Sequence, residues 1–330
     1  MGLLRLLLPF AFFLLPSSAA AGSPVGSAYL RTFPLEKPPF GQLQVESFPW
    51  DGARVQRWHR DNAPADWVIV WLDLCTPGLD YHATPVQREE LPDSTIKQSA
   101  IAQNTVEFLR QFSKDPRVDL AINTVAFYPV PVTVGTRIHL SEPLWTKDDN
   151  QRDPQPGSVM LGLLPGRALI GDAATVRAAQ PVYAVGSFLD NDNIPGGVAV
   201  RAGGVATFAN TKVHGRTAAG VSKDGRVLIL LIADGYNKGV SEGLSLADAA
   251  RILQAAGAHE GMFLDGGGSA TLVGRGDDGE PLLLNRPAGV LNTPGTLRPI
   301  AVSLGFTGLR RSDEPIPAVQ DWEAAWYVVL

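Results

Sequence analysis

The segments RVLILLIADG (226–235), SLADAARILQAAG (245–257) and GMFLDGGGS (261–269) decide how this chain is read. The first and last are apolar runs that end in aspartate, the pattern of buried strands. Between them Ser245 can cap a helix, with Asp248 three residues later and Leu246, Ala250, Leu253 and Ala256 or Gly257 on its buried face. Strand, helix and strand within about 40 residues predict a βαβ unit whose two strands run parallel with a right-handed crossover. Asp234 and Asp265 would then emerge at the same sheet edge, where ligand sites form. Carboxylates side by side suit acid/base or glycosyl-transfer chemistry, because one can hold a proton while the other stays charged. Spacing alone leaves a second reading open, since Asp234-Gly235 and Asp265-Gly266 are also good turn dipeptides.

Gly266, Gly267, Gly268 and Ser269 follow the second aspartate directly. Three glycines after a buried strand let backbone N–H groups approach a ligand closely and form an anion-binding nest. A phosphate or a sugar oxygen would suit such a turn. No Lys-Ser or Lys-Thr follows it, which excludes a nucleotide P-loop.

Working outward, Gln42–Phe48 and Ala53–His59 alternate as strands do, and Trp67–Leu72 is a continuous apolar run expected at the centre of a sheet. Ser94–Phe112 reads as a helix, with Ile101, Thr105, Phe108, Leu109 and Phe112 at helical spacing, and Asp119–Val125 as a second buried strand. Residues 135–156 turn polar, above all Lys147–Asp153, and read as a surface insertion. Short strands follow at Val159–Leu164, Ala168–Ile170, Val182–Val185 and Val198–Val200, punctuated by Gly and Pro. The expected fold is α/β or α+β, with mixed β-sheets and a βαβ unit carrying the site in a single large domain over 41–308. A Pro-rich lead occupies 22–40, and a tail over 309–330 carries Trp322, Trp326 and Tyr327, expected to dock on the body.

The N-terminus is set apart from this domain. Arg5, an apolar run from Leu6 to Leu15 and the small residues Ser17–Ala21 form a secretory signal with an A-x-A-like site ending at Ala21. The run is too short for a membrane span, which needs about 20 apolar residues, and no later stretch approaches one. The mature chain is therefore expected outside the cytoplasm, secreted or periplasmic. Its single cysteine, Cys75, cannot form an intrachain disulfide, which fits a bacterial periplasm better than the outside of an animal cell.

Composition and the remaining motifs narrow the function. With 45% hydrophobic and 18% charged residues the chain is globular, and a formal charge of −5 offers no attraction to nucleic acid. Asp190–Asn193 resembles the start of a calcium loop, but Pro195 and Arg201 stand where Gly and Glu are required. The histidines at 59, 82, 139, 214 and 259 show no metal-binding spacing, and no Gly-x-Ser-x-Gly elbow occurs. Arg275-Gly276-Asp277 is an adhesion tripeptide by letter only, lying in a polar hairpin between Thr271–Val273 and Leu282–Leu284. The sequence requires no cofactor and leaves a bound divalent cation open.

HGRTAAGVSKDG (214–225), the strand to Asp234-Gly235, GLSL (243–246) and FLDGGGSATL (263–272) together resemble the phosphodiester glycosidase family. Weaker resemblance extends to Val70–His82, to Ala121-Ile122-Asn123 with Phe127-Tyr128, and to Arg298-Pro299-Ile300-Ala301. The resemblance implies a pocket formed by Asn123, His214, Arg216, Asp234, Asp265 and the Gly266–Ser269 loop. Asp265 and Asp234 would be its catalytic pair, with the others binding substrate. Gly215 stands where the family commonly has proline, the Asn123 motif carries one extra residue, and the 135–156 insertion has no counterpart. The implied activity is hydrolysis of a sugar-1-phosphodiester or related glycosidic bond in exported glycan or envelope processing, the substrate being a sugar phosphodiester or glycan. Two alternatives stand beside it: a catalytically silent carbohydrate- or envelope-binding protein, and a phosphomonoesterase.

Overall fold

The structure is a computed structural model that describes residues 27–188, 197–208 and 211–319. The signal segment, Asp190–Asn193 and the tail aromatics Trp322, Trp326 and Tyr327 lie outside the described residues. A short helix α1 (Ser27–Thr32) precedes β1 (Gln42–Trp50), β2 (Ala53–Arg60) and β3 (Ala65–Asp73). Next come β4 (Asp80–Ala83), β5 (Gln87–Glu90), β6 (Ile96–Ile101), α2 (Thr105–Gln111) and β7 (Val118–Asn123). They lead to β8 (Phe127–Tyr128), β9 (Arg137–Leu140), β10 (Leu144–Thr146), β11 (Met160–Leu164) and β12 (Arg167–Gly171). α3 (Ala173–Ala178), β13 (Tyr183–Gly186), β14 (Val198–Arg201), β15 (Gly204–Val205), β16 (Arg216–Val221) and β17 (Val227–Ala233) follow. The chain continues through α4 (Leu246–Ala255), β18 (Glu260–Leu264), β19 (Leu272–Arg275), β20 (Pro281–Leu283) and β21 (Ser303–Thr307).

The apolar runs form the middle of an eight-stranded sheet of order β1-β2-β3-β17-β16-β18-β14-β15. Both of its faces are covered. Trp67, Ile69, Trp71, Ile229 and Leu231 pack under Leu246, Ala250 and Leu253 of α4. On the other face Val68, Val70, Leu228, Leu230 and Ile232 meet Leu120, Ile122, Leu304 and Phe306 of a five-stranded sheet, β20-β19-β7-β21-β4. That sheet is backed in turn by Val106, Phe108 and Leu109 of α2. The layers therefore run helix, sheet, sheet, helix, and one core joins the strands before and after residue 146. Burial contributes roughly 1.5–3 kcal/mol per large aliphatic side chain, which explains why β3 and β17 are apolar at nearly every position rather than at alternate ones.

The expected βαβ unit takes a different form. β17, α4 and β18 occur in that order, and β17 and β18 run in the same direction, but β16 lies between them, antiparallel to both. All strand pairs among the described residues are antiparallel. The reason is local: a short turn after Val221 folds β16 and β17 into a hairpin. One edge of β17 is thereby filled, so the chain leaving α4 adds β18 to the free edge of β16.

Two further expectations are corrected. Ser94–Phe112 is not one helix, because Ile96–Ile101 is strand β6 and only Thr105–Gln111 is helical. Asn104 sets that start: its side chain accepts from Glu107 N at 2.9 Å, and Glu107 accepts from Asn104 N at 3.1 Å, a capping box. Residues 135–156 are an insertion only in part, since they include β9 and β10 and bury Trp145, whose indole donates to Arg152 O at 2.6 Å. The Pro-rich lead also contributes, through α1 and the fully buried Leu30. Arg275, the last residue of β19, is 2% exposed and donates to the carbonyls of Val118, Leu109 and Phe112, so it is a structural cation and not an adhesion group.

Candidate active site

Antiparallel register gathers the chemistry at one end of the eight-stranded sheet. Arg216 pairs with Ala233 and Thr217 with Leu264, so the last residues of β17 and β18 flank the first residues of β16. The end of β7 joins them through Thr124, whose carbonyl accepts from Asp265 N at 2.7 Å. Asp234 and Asp265 do leave the same edge, as the spacing predicts. A whole strand nevertheless separates their backbones, roughly 10 Å at ordinary strand spacing.

Their side chains sit in different surroundings. Asp234 is 5% exposed, and its Oδ1 accepts from Asn285 Nδ2 at 3.0 Å and Arg286 N at 2.7 Å. Burial pushes its carboxyl up to about 7, against those two hydrogen bonds; nearby Asp66 raises it further and Arg57 lowers it. Asp265 keeps part of its surface open, and burial pushes its carboxyl up to about 6, opposed by a hydrogen bond from the Ser269 hydroxyl and by the charge of Arg298. The two carboxylates thus have separate partners, and the expected side-by-side pair is not what the fold assembles.

Around Asp265 the structure brings together Arg216, the glycine loop, Ser269 and two residues the sequence reading did not place in the site, Tyr236 and Arg298. Arg298 donates from Nε to Gly289 O at 3.1 Å, from Nη2 to Asn292 Oδ1 at 2.9 Å and from Nη1 to Ser269 Oγ at 3.4 Å. Burial lowers the pKa of its guanidinium, while Asp265 and Tyr236 act to raise it. Tyr236 feels the charges of Arg216, Arg298 and Asp265 at once, which puts its phenol among all three; burial raises its pKa above the usual range. Tyr236 also adopts a left-handed φ of 60°, a strained backbone for a bulky residue, and its ring lies 5.4 Å from that of His214 at the rim. Two signals in the sequence point to these residues: Tyr236 follows the Asp234-Gly235 turn at once, and Arg298 is a charge set directly before the apolar Pro299-Ile300-Ala301.

Arg216 is 6% exposed, with Nε bonded to Leu244 O at 3.0 Å and Nη2 to Lys212 O at 2.9 Å, so its guanidinium is held rigidly beside Tyr236. The glycine loop is a tight turn over Gly267–Ser269. Part of its expected nest is used within the protein, since Gly267 N donates to Gly215 O at 2.7 Å and Ser269 N to Gly266 O at 3.1 Å. Gly215 is required here: a Cβ would meet Gly267 O at 2.7 Å. Gly268 is required as well, because a Cβ would strike Arg298 Nη2 and Gly289 O. Asn123 lies beneath the loop and not in the open pocket. It is 1% exposed, its Oδ1 accepts from Thr217 Oγ1 at 3.1 Å and Thr271 N at 3.0 Å, and its Nδ2 donates to Asp265 O at 2.5 Å. One amide thereby ties β7, β16 and both sides of the glycine loop. No group of three or more His, Cys, Asp or Glu suited to a metal ion occurs among the described residues.

Residues 146–307 match the family model for phosphodiester glycosidase. The chain carries a phosphodiester glycosidase domain. All of the site residues named above except Asn123 fall inside the matched span, and Asn123 reaches the phosphodiester glycosidase loop through the shared core. A structure described as a hypothetical protein from Synechocystis is similar in fold, with a TM-score of 0.51 and 14% identity over 81% of this chain and 64% of that one. The chain thus spans 64% of the length of that relative. The zebrafish N-acetylglucosamine-1-phosphodiester alpha-N-acetylglucosaminidase catalytic domain, auto-inhibited by its pro-peptide, aligns with a TM-score of 0.41 and 16% identity over 72% of this chain and 85% of that one. No curated protein sequence matches the chain.

Proposed function

We propose that this protein is an exported hydrolase that cleaves a sugar-1-phosphodiester, or a closely related glycosidic bond, in glycan or envelope processing. The observation that carries the reading is Asp265, a partly open carboxyl raised to about 6 by burial beside Arg298, with the Tyr236 phenol set among Asp265, Arg298 and Arg216. Two guanidiniums around one phenol, one of them acting on the carboxyl, fit an anionic substrate, because each can give charge-assisted hydrogen bonds to phosphate oxygens. The bond broken is that between the anomeric carbon and the phosphate oxygen. A phosphomonoester leaves with that oxygen, and its growing negative charge is met by Arg216 and Arg298, an electrostatic assistance strongest as the bond breaks. Asp265, mostly ionised at pH 7, takes a proton from the water that adds to the anomeric carbon. The products are a free sugar and a phosphomonoester. Tyr236 and His214 border the sugar side, while Asn123 and Asp234 hold the frame behind. Export rests on the Arg5–Ala21 signal pattern.

A panel of synthetic sugar-1-phosphodiesters tests the reading. Release of free sugar together with phosphomonoester is the expected result. Inorganic phosphate released from monoesters would instead make it a phosphomonoesterase, and saturable binding without turnover would make it a carbohydrate- or envelope-binding protein.

A further inference from the structure

Arg298 also lines a cleft of about 270 Å³, together with Val130, Pro131 and Val132 from one segment and Val290, Leu291 and Pro299 from another. Val130 is 51% exposed and Leu291 73%, so both flanks offer apolar surface to solvent. Both flanks are also tied to the site. The first continues the chain from Thr124, which holds Asp265 N, and the second is held by Arg298 through Gly289 O and Asn292 Oδ1. Leu291 and Asn292 adopt left-handed φ values of 50° and 57° in succession, a conformation that is strained for leucine though tolerated by asparagine. Strain of this kind, paired with an exposed leucine beside a candidate active-site arginine, points toward function.

We propose that this cleft is the subsite for the second arm of the substrate, and that this arm is an aliphatic alcohol esterified to the phosphate. The proposal rests on the phosphodiester reading above. A phosphodiester has two ester oxygens. Because Arg298 both acts on Asp265 and lines the cleft, a phosphate on Arg298 with its sugar toward Asp265 leaves its other ester oxygen to carry its substituent into the cleft. A sugar or peptide there would press hydroxyls or amides against Val130, Pro131 and Leu291 and lose hydration without gaining partners. An alkyl chain loses nothing and buries apolar surface. The volume lies just under the roughly 300 Å³ at which whole-ligand pockets begin, which suits one arm of a substrate.

The test uses the full mature chain and two paired probes. Methyl and hexyl phosphate are compared by calorimetric binding, and the methyl and hexyl diesters of one sugar 1-phosphate by turnover. Each buried methylene contributes about 0.8 kcal/mol, or about fourfold in affinity, so hexyl phosphate should bind at least about tenfold tighter than methyl phosphate. The hexyl diester should show a similar advantage in kcat/KM. Leu291→Asn, which suits the left-handed backbone, and Val130→Asn should both bring the hexyl-to-methyl ratio toward one, with Tm confirming an intact fold. A wild-type ratio near one, an unchanged ratio in both variants, or failure to bind either alkyl phosphate would overturn the proposal. If the alkyl phosphates bind with the expected ratio but neither diester is hydrolysed, the subsite stands and the hydrolase reading falls.

Discussion

Replacing Asp265 by Asn separates a chemical role from a structural one, because the two predict opposite changes in stability. Its carboxyl is raised from 3.8 to about 6, chiefly by burial. A raised folded-state value means that the fold binds this proton more tightly than the unfolded chain does. The group's contribution to stability is therefore fully present below about pH 4 and is lost as the pH rises through 6. At about 1.4 kcal/mol per pH unit, the ionised carboxylate costs the fold roughly 3 kcal/mol at pH 7. Asn cannot ionise and can still accept from Ser269, so Asp265→Asn should be more stable than wild type at pH 7, by up to that amount. The two proteins should be nearly equal in stability at pH 4. Turnover should nonetheless fall by about 10²–10⁴, the usual worth of a positioned acid or base. Urea unfolding from pH 4 to 8, run beside free-sugar release from a sugar-1-phosphodiester, measures both. Near-normal turnover, or a loss of stability large enough to account for the lost activity, would refute the assignment.

Arg216→Lys should lower kcat/KM on phosphodiesters about 10- to 100-fold, the worth of one charge-assisted hydrogen bond; steady-state kinetics with unchanged values would take Arg216 out of the site. Gly268→Ala should displace Arg298, because the added methyl strikes its guanidinium, and should weaken methyl phosphate binding by calorimetry while leaving the overall circular dichroism spectrum intact. Asn123→Ala leaves the hydroxyl of Thr217, the N–H of Thr271 and the carbonyl of Asp265 short of a buried partner, so Tm should fall by roughly 10 °C; a variant that melts like wild type but loses ligand would put the amide in the pocket instead. Intact mass of exported material should show a chain beginning at or near Gly22, and a full-length chain retained in the cytoplasm would refute the signal reading.

The strands that build the core were legible in order, because a segment buried on both faces must be apolar along its length, and Trp67–Leu72 and Arg226–Ala233 carry that mark. The helix capped at Ser245 was legible for the same local reason, a side-chain cap followed by an amphipathic face. So was the glycine turn after Asp265, whose three glycines have no role in a plain strand end. Ser94–Phe112 misled because apolar spacing cannot distinguish a strand joined to a short helix from one long helix; the Asn104–Glu107 capping box is the local signal that divides them. The pairing of Asp234 with Asp265 failed for a different reason. Their sequence spacing says that both strands end at one edge, but which strand lies between them depends on the order in which edges are filled, a non-local contest that the β16–β17 hairpin wins by its short loop. The same holds for Tyr236 and Arg298, which lie 62 positions apart. Only the packing of two sheets, with glycine at 215 and 268 to let backbones and a guanidinium pass, brings both to the carboxyl of Asp265.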